Sequence, residues 1–294
     1  MMCCSQSSGQ LSIKRPAIPA SPRGRRLVGR GVAAILVLAA GPLLAHPPAG
    51  VRLLASTTLL KAQAHSAAAL TPAGVTKYVY GESRQRRPLV AYVLGQGSNV
   101  TMIFGGFHGN EQSTPGVVNR LLAYLRKYPE KWTGCRIILA PRANPDGLAA
   151  DRRTNAAGVD LNRNFPGTWK PRGSARRFSP GPAPASEPET RAIINLVRRE
   201  HPVKVISIHE PLHLMNWTGQ RGRQLAALMR RYNHYRSTGD IGYSTPGSFG
   251  SYCGRLGIAI VTLELPRESA RAGWDQNREA LLTAIRYNFK NTNR

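Results

Sequence analysis

His108 and Glu111 stand three residues apart in the glycine-rich stretch GGFHGNEQST, residues 105–114, directly after an apolar run. His209 closes a second apolar run, VKVISIH at 203–209, and Glu264 is the lone acid in a third, GIAIVTLEL at 257–265. Two neutral imidazoles and one carboxylate make a three-ligand set for a catalytic zinc, which keeps a fourth position open for water. A histidine–glutamate pair at this spacing is common by chance, so the pair alone carries little. A histidine ending a buried strand strengthens it, because an unpaired buried imidazole is costly. Zinc lowers the pKa of its bound water, and a base must take the proton as that water attacks a carbonyl. Glu264 is the candidate base, and a salt bridge at the end of the sheet is the competing reading.

A further stretch, RTNAAGVDLNRNFP at 153–166, brings polar groups of another kind. The guanidinium of Arg163, beside Asn162, can grip a carboxylate in bidentate fashion. Arg153 can polarise a carbonyl and stabilise an oxyanion. Composition alone does not distinguish these from two more surface arginines.

These residues need a frame that gathers them. Short apolar or β-branched runs at 88–94, 99–106, 135–141, 203–209 and 257–265 read as strands. Between them lie helical faces: Val117, Val118, Leu121, Leu122 and Leu125; Ile193, Ile194 and Val197; Leu281, Leu282, Ile285 and Phe289. The SEPE stretch at 186–189 reads as a capping box, with Ser186 as N-cap and Glu189 at the third helical position. Residues 168–185, rich in Pro, Gly and Arg, read as a surface loop. The alternation predicts an α/β fold: a single domain with a mostly parallel, mixed sheet flanked by helices. Active sites of such sheets gather at the carboxyl ends of strands, where the FHGNE, NPDG (144–147) and HEP (209–211) stretches all fall.

The chain divides into three parts. Residues 1–31 are polar and basic, and residues 32–45, VAAILVLAAGPLLA, carry no charge. That order suits a secretory signal with cleavage after Ala45, or an uncleaved N-terminal anchor. Residues 46–76 read as an Ala/Thr/Pro-rich linker, and 77–294 as the catalytic domain. Export to the periplasm or beyond follows from the first reading, and attachment to the inner membrane from the second. There are 41 Lys and Arg against 15 Asp and Glu, a net charge of +26. Such a field attracts anionic polymers, cell-wall polymer among them, without naming one. No helix-turn-helix, RNA-binding signature or basic–aromatic interleaving supports a nucleic-acid partner. Four cysteines show no zinc-ribbon spacing; a Cys135–Cys253 disulfide is disfavoured against two buried thiols.

Taken together and in order, HGNE, NPDG, VDLNRNFP, SIHEP and TLELP resemble the zinc carboxypeptidase family over residues 78–294. Within it, RTNAAGVDLNRNFP, SEPET and GYSTPGSFGSYC resemble the bacterial murein peptide amidases, which cleave the γ-D-glutamyl–meso-diaminopimelate bond of cell-wall peptides. The resemblance implies one Zn2+ per chain on His108, Glu111 and His209, with Glu264 as general base and later acid. It implies Arg153 beside the scissile carbonyl, Asn162 and Arg163 on a substrate carboxylate, and Tyr243 as a mobile pocket tyrosine, with Tyr252 as a rival for that role. The implied reaction is amide hydrolysis in murein peptides by a zinc-bound water. The alternatives are a metallocarboxypeptidase trimming a C-terminal residue, an aspartoacylase-like deacylase, and a non-enzymatic basic wall-binding module. The pocket wall carries Ser248, Gly250 and Ser251 and no acid between Asp240 and Glu264, which disfavours selection of a basic side chain.

Overall fold

A computed structural model of the chain describes residues 69–71, 74–172 and 175–289. The segment read as signal or anchor, 1–45, and most of the linker lie outside the described residues. Strand pairing begins earlier than the reading of 77 as the domain start, with β1 (Ala69–Thr71) and β2 (Val75–Glu82) already in the sheet. The other strands are β3 (Pro88–Leu94), β4 (Asn99–Phe104), β5 (Cys135–Ala140), β6 (Lys204–His209), β7 (Leu214–Thr218), β8 (Arg236–Thr238) and β9 (Ala259–Glu264).

The sheet runs β1-β2-β3-β5-β4-β6-β9-β7-β8. Its centre, β5-β4-β6-β9, is parallel. The flanks β1-β2-β3-β5 and β9-β7 are antiparallel, and the outer β7-β8 pair is parallel again. The expected mixed sheet flanked by helices is what forms, with its parallel pairs in the centre and at the outer β7-β8 edge. Burial shows why the centre was the legible part. Every residue of β4 and β6 is buried, whereas β2 alternates. Parallel strands covered on both faces read as continuous apolar runs, while a strand with one wet face reads as a mixture.

Helices α1 (Ser113–Lys127), α2 (Pro145–Ala149), α3 (Pro188–Glu200), α4 (Gly219–Asn233), α5 (Phe249–Arg255) and α6 (Ala270–Arg286) complete the fold. Val117, Leu121, Leu225, Met229, Leu281 and Ile285 place α1, α4 and α6 in one core, with Ile103 and Ile206 of the sheet. Ile193, Val197, Phe249 and Tyr252 place α3 and α5 in a second core on the other face, with Met102 and Phe104. Cys135 belongs to the first core and Cys253 to the second, and both are free, so they form no disulfide. No helix among the described residues is long and apolar enough to cross a membrane.

The capping box at SEPE does not form. Helix α3 starts at Pro188 with Glu187 as its N-cap, and no side chain caps it. Ser186 Oγ instead bonds to Asn164 and Glu187, while Glu189 accepts from the Arg84 backbone and Asn155. Tertiary partners outbid the local cap, and in doing so they clamp the loop that carries Asn155 to Asn164.

At the opposite end of the sheet from the polar clusters, the fully buried Lys204 donates to Asn99 Oδ1 (2.7 Å) and to the backbone oxygens of Ile285 (2.9 Å) and Tyr287. This fastens the end of α6 to the foot of β6. Burial pushes the Lys204 ammonium down to about 8, with Cys135 opposing.

Candidate active site

Four polar elements meet at the carboxyl ends of the parallel strands. The turn after β4 carries His108 and Glu111 and packs on the first turn of α2. Gly109 is required there, because a Cβ would collide with the backbone of Gly147. Asn144 locks the two turns together: its Oδ1 accepts from Gly147 N (2.9 Å), and its Nδ2 donates to Phe107 O (3.2 Å). His209 and Glu264 end β6 and β9 as register partners, which sets the turn's two residues opposite both.

The side chains of His108, Glu111 and His209 are buried, and one ligand atom from each lies within 4.8 Å of the others. His108 Nδ1 is 2.6 Å from Glu111 Oε1, His209 Nδ1 is 3.0 Å from Glu111 Oε2, and the two Nδ1 atoms are 3.2 Å apart. Two imidazole nitrogens thus face each other beside a carboxylate, an arrangement that a cation between them satisfies. Their outer nitrogens are also held. His108 Nε2 meets Asp160 Oδ1 at 3.1 Å, and His209 Nε2 meets Ser207 Oγ at 2.9 Å. Zinc-ligating histidines are oriented by such partners on the far nitrogen. The donor set of two nitrogens and one carboxylate therefore fits zinc.

The electrostatics follow from proximity. Burial pulls the His108 imidazolium down, but the Glu111 and Asp160 carboxylates outweigh it and hold the group at about 9. Burial raises Glu111, but His108 and His209 outweigh it and bring it to about 2. Asp160 is likewise driven well below the usual carboxylate range: burial raises it, and His108 and Arg153 prevail. Glu264 moves the other way. Burial raises it, Glu111 adds to the rise, and His209 and His108 oppose it. Its Oε2 is buried with no hydrogen-bond partner among the described residues.

His108, Glu111, Arg153, Asn162, Arg163, Tyr243 and Glu264 all line one cavity of about 670 Å³. His209 lies behind it, 1% exposed. Arg153 reaches the site through Asp160, whose Oδ2 accepts from its Nε at 2.9 Å, and its NH1 lies 3.9 Å from Glu111 Oε1. Asn162 Oδ1 accepts from Phe249 N at 2.9 Å, which sets the plane of its amide. Arg163 is 8% exposed and donates to Asn162 O (2.7 Å), so its fork is pinned at the cavity wall. Gly247 crosses directly over the Arg163 backbone at φ +70°, a left-handed conformation in a space that excludes a Cβ. Tyr243 is 53% exposed at the cavity rim, whereas Tyr252 is buried against Phe165. Tyr252 is a core residue, which removes it as the rival of Tyr243. Hydroxyls of Ser248, Ser251, Thr218 and Thr262 line another part of the cavity, and Asp240 stands exposed at its edge.

Several site residues escaped the sequence reading. Asp160 was visible only as an acid between two apolar neighbours in VDL. Yet it holds both His108 and Arg153, and it caps the short 3-10 turn at Leu161–Arg163. Ser207 looked like an ordinary strand residue. Glu210, within the HEP stretch but given no role there, and Phe178, which nothing local in the sequence marked, also line the cavity.

Known proteins agree with this geometry. Residues 60–244 match the zinc carboxypeptidase family. Murein peptide amidase A of Escherichia coli K12 is 32% identical over 224 residues, covering 72% of this chain and 90% of that protein. Its Vibrio campbellii counterpart is 30% identical over 226 residues, covering 72% and 88%. The crystal structure of the murein-tripeptide amidase of E. coli O157 superposes with a TM-score of 0.62 at 30% identity, covering 76% of this chain and 95% of that one. The chain belongs to the zinc carboxypeptidase family and is a zinc metallopeptidase or amidase of that family.

Proposed function

We propose that this enzyme hydrolyses an amide bond in murein peptides, at the γ-D-glutamyl–meso-diaminopimelate linkage. The observation that carries the reading is the buried His108–Glu111–His209 group beside Glu264 at a cavity that Arg163 also lines. The amidase relatives at 30–32% identity supply the substrate class.

His108, Glu111 and His209 are the residues that would hold zinc, one ion per chain. Bound there, zinc supplies Lewis acidity and makes water acidic enough to attack at neutral pH. Glu264 takes the proton of the attacking water and returns it to the departing amine. Its burial favours this exchange, because a carboxyl raised above its ordinary value holds a proton more readily than an exposed one. Arg153, oriented by Asp160, faces the carbonyl oxygen as charge develops there. Asn162 and Arg163 hold a carboxylate on the departing side, and Tyr243 closes over it from the rim.

We also propose that the protein is exported. The basic start, the uncharged run at 32–45 and the net charge of +26 support a place near an anionic wall. Cell fractionation with N-terminal sequencing checks this: an intact N-terminus in the cytosol overturns it.

The reaction is tested by mass spectrometry of products from L-Ala-γ-D-Glu-diaminopimelate and from longer wall peptides. Free diaminopimelate from the tripeptide supports the amidase. Release of terminal D-Ala alone, from the longer peptides, overturns it in favour of a carboxypeptidase.

A further inference from the structure

A second cavity of about 700 Å³ adjoins the first and shares Arg163, Arg177, Phe178 and Tyr243 with it. The residues it adds include Lys170, Arg172, Pro180 and Pro246. It therefore presents four cations, and no carboxylate among the described residues lines it. Phe178 stands at the junction, with the guanidinium carbons of Arg177, Arg153 and Arg163 at 4.8, 5.0 and 5.5 Å from its ring centre. One aromatic ring thus gathers three arginines, all of which line the catalytic cavity and two of which, Arg163 and Arg177, line the second as well. Like charges packed this closely repel one another, and an anion between them relieves that cost.

We propose that this second cavity receives a second acidic group of the substrate, on the same departing side as the carboxylate at Arg163. The proposal rests on the amidase reading for the identity of that substrate. Diaminopimelate carries two carboxylates separated by an apolar spacer of methylenes, and the far carboxylate stands beside an ammonium, which in this pose is directed away from the cations to solvent. Arg163 takes one, Phe178 and the prolines face the spacer, and Lys170, Arg172 and Arg177 take the other. Ser248, Ser251, Thr218 and Thr262, which line the first cavity, are themselves uncharged. A bare inorganic ion would have no use for the apolar walls.

The test uses Lys170→Ala/Arg172→Ala, a pair that lines only the second cavity. A control pair, Arg230→Ala/Arg231→Ala, removes the same charge from exposed positions at the end of α4. Two peptides are compared: L-Ala-γ-D-Glu-diaminopimelate, and the same peptide with the far carboxylate as a neutral carboxamide. The loop pair should raise KM for the diacid about tenfold, as expected for lost charge-assisted contacts, and leave kcat and the carboxamide's KM unchanged. Equal changes for both peptides, equal changes from the control pair, or no change overturns the proposal. If wild-type protein cleaves neither peptide, the amidase reading fails by itself. The cavity is then judged by calorimetry with citrate, which the loop pair and not the control pair must weaken. Equal weakening or no binding overturns it.

Discussion

His209 and Glu264 are direct partners in the parallel register of β6 and β9, so two strand ends bring an imidazole and a carboxyl to the same edge of the sheet. The imidazole turns inward to His108 and Glu111, while the carboxyl keeps one buried oxygen without a hydrogen-bond partner among the described residues. A buried polar atom left unpaired costs free energy, and such a cost persists where it serves a reaction.

From this, Glu264→Gln should leave zinc content unchanged and lower kcat by about a hundredfold or more, the loss typical of a missing general base. Steady-state kinetics on metal-quantified protein checks it. Wild-type turnover in the variant would remove Glu264 from the mechanism.

Purified protein should hold about one zinc per chain, as a three-ligand catalytic site does. His108→Ala and His209→Ala should lose it, and elemental analysis decides the matter. Asp160→Asn should weaken zinc binding by about 10- to 100-fold through misorientation of His108, measured by chelator competition. Unchanged affinity in that variant would reduce Asp160 to a support for Arg153 alone.

Arg163→Ala should raise KM for carboxylate-bearing substrates about tenfold or more while zinc stays bound. Arg163→Lys should fail to restore it, since an ammonium lacks the planar fork. Restoration by lysine would show that charge alone matters at this position.

Lys204 supplies a pH test remote from the metal ligands. Its folded value, near 8, lies below its ordinary 10.5, so between those values the unfolded chain binds more protons. The penalty for burying the ammonium is thus full below pH 8 and is relieved as pH rises toward 10.5. Thermal melts of wild type minus Lys204→Met should show this rising difference across the window. A flat difference would mean that Lys204 keeps its ordinary value.

The amino-acid sequence by itself laid out the proposed chemistry. Residue types at 108, 111, 209 and 264, each beside an apolar run, offer a candidate metal-ligand set and a candidate base at the ends of buried strands. The central strands were legible because they are covered on both faces. Only the tertiary structure decided the rest. Of the flanking strands β3 was legible at 88–94, while β2, β7 and β8 carry partly exposed residues and weak patterning. The failed cap at SEPE depends on Asn155, Asn164 and Arg84, which come from other parts of the chain. Asp160 lies 52 residues from His108, and no local pattern announces that contact. The second cavity likewise arises where Lys170, Arg172, Arg177 and Pro180 meet Tyr243 and Pro246. Spacing and hydropathy report what neighbours along the chain share; which distant side chains touch is settled by how the sheet and its loops pack.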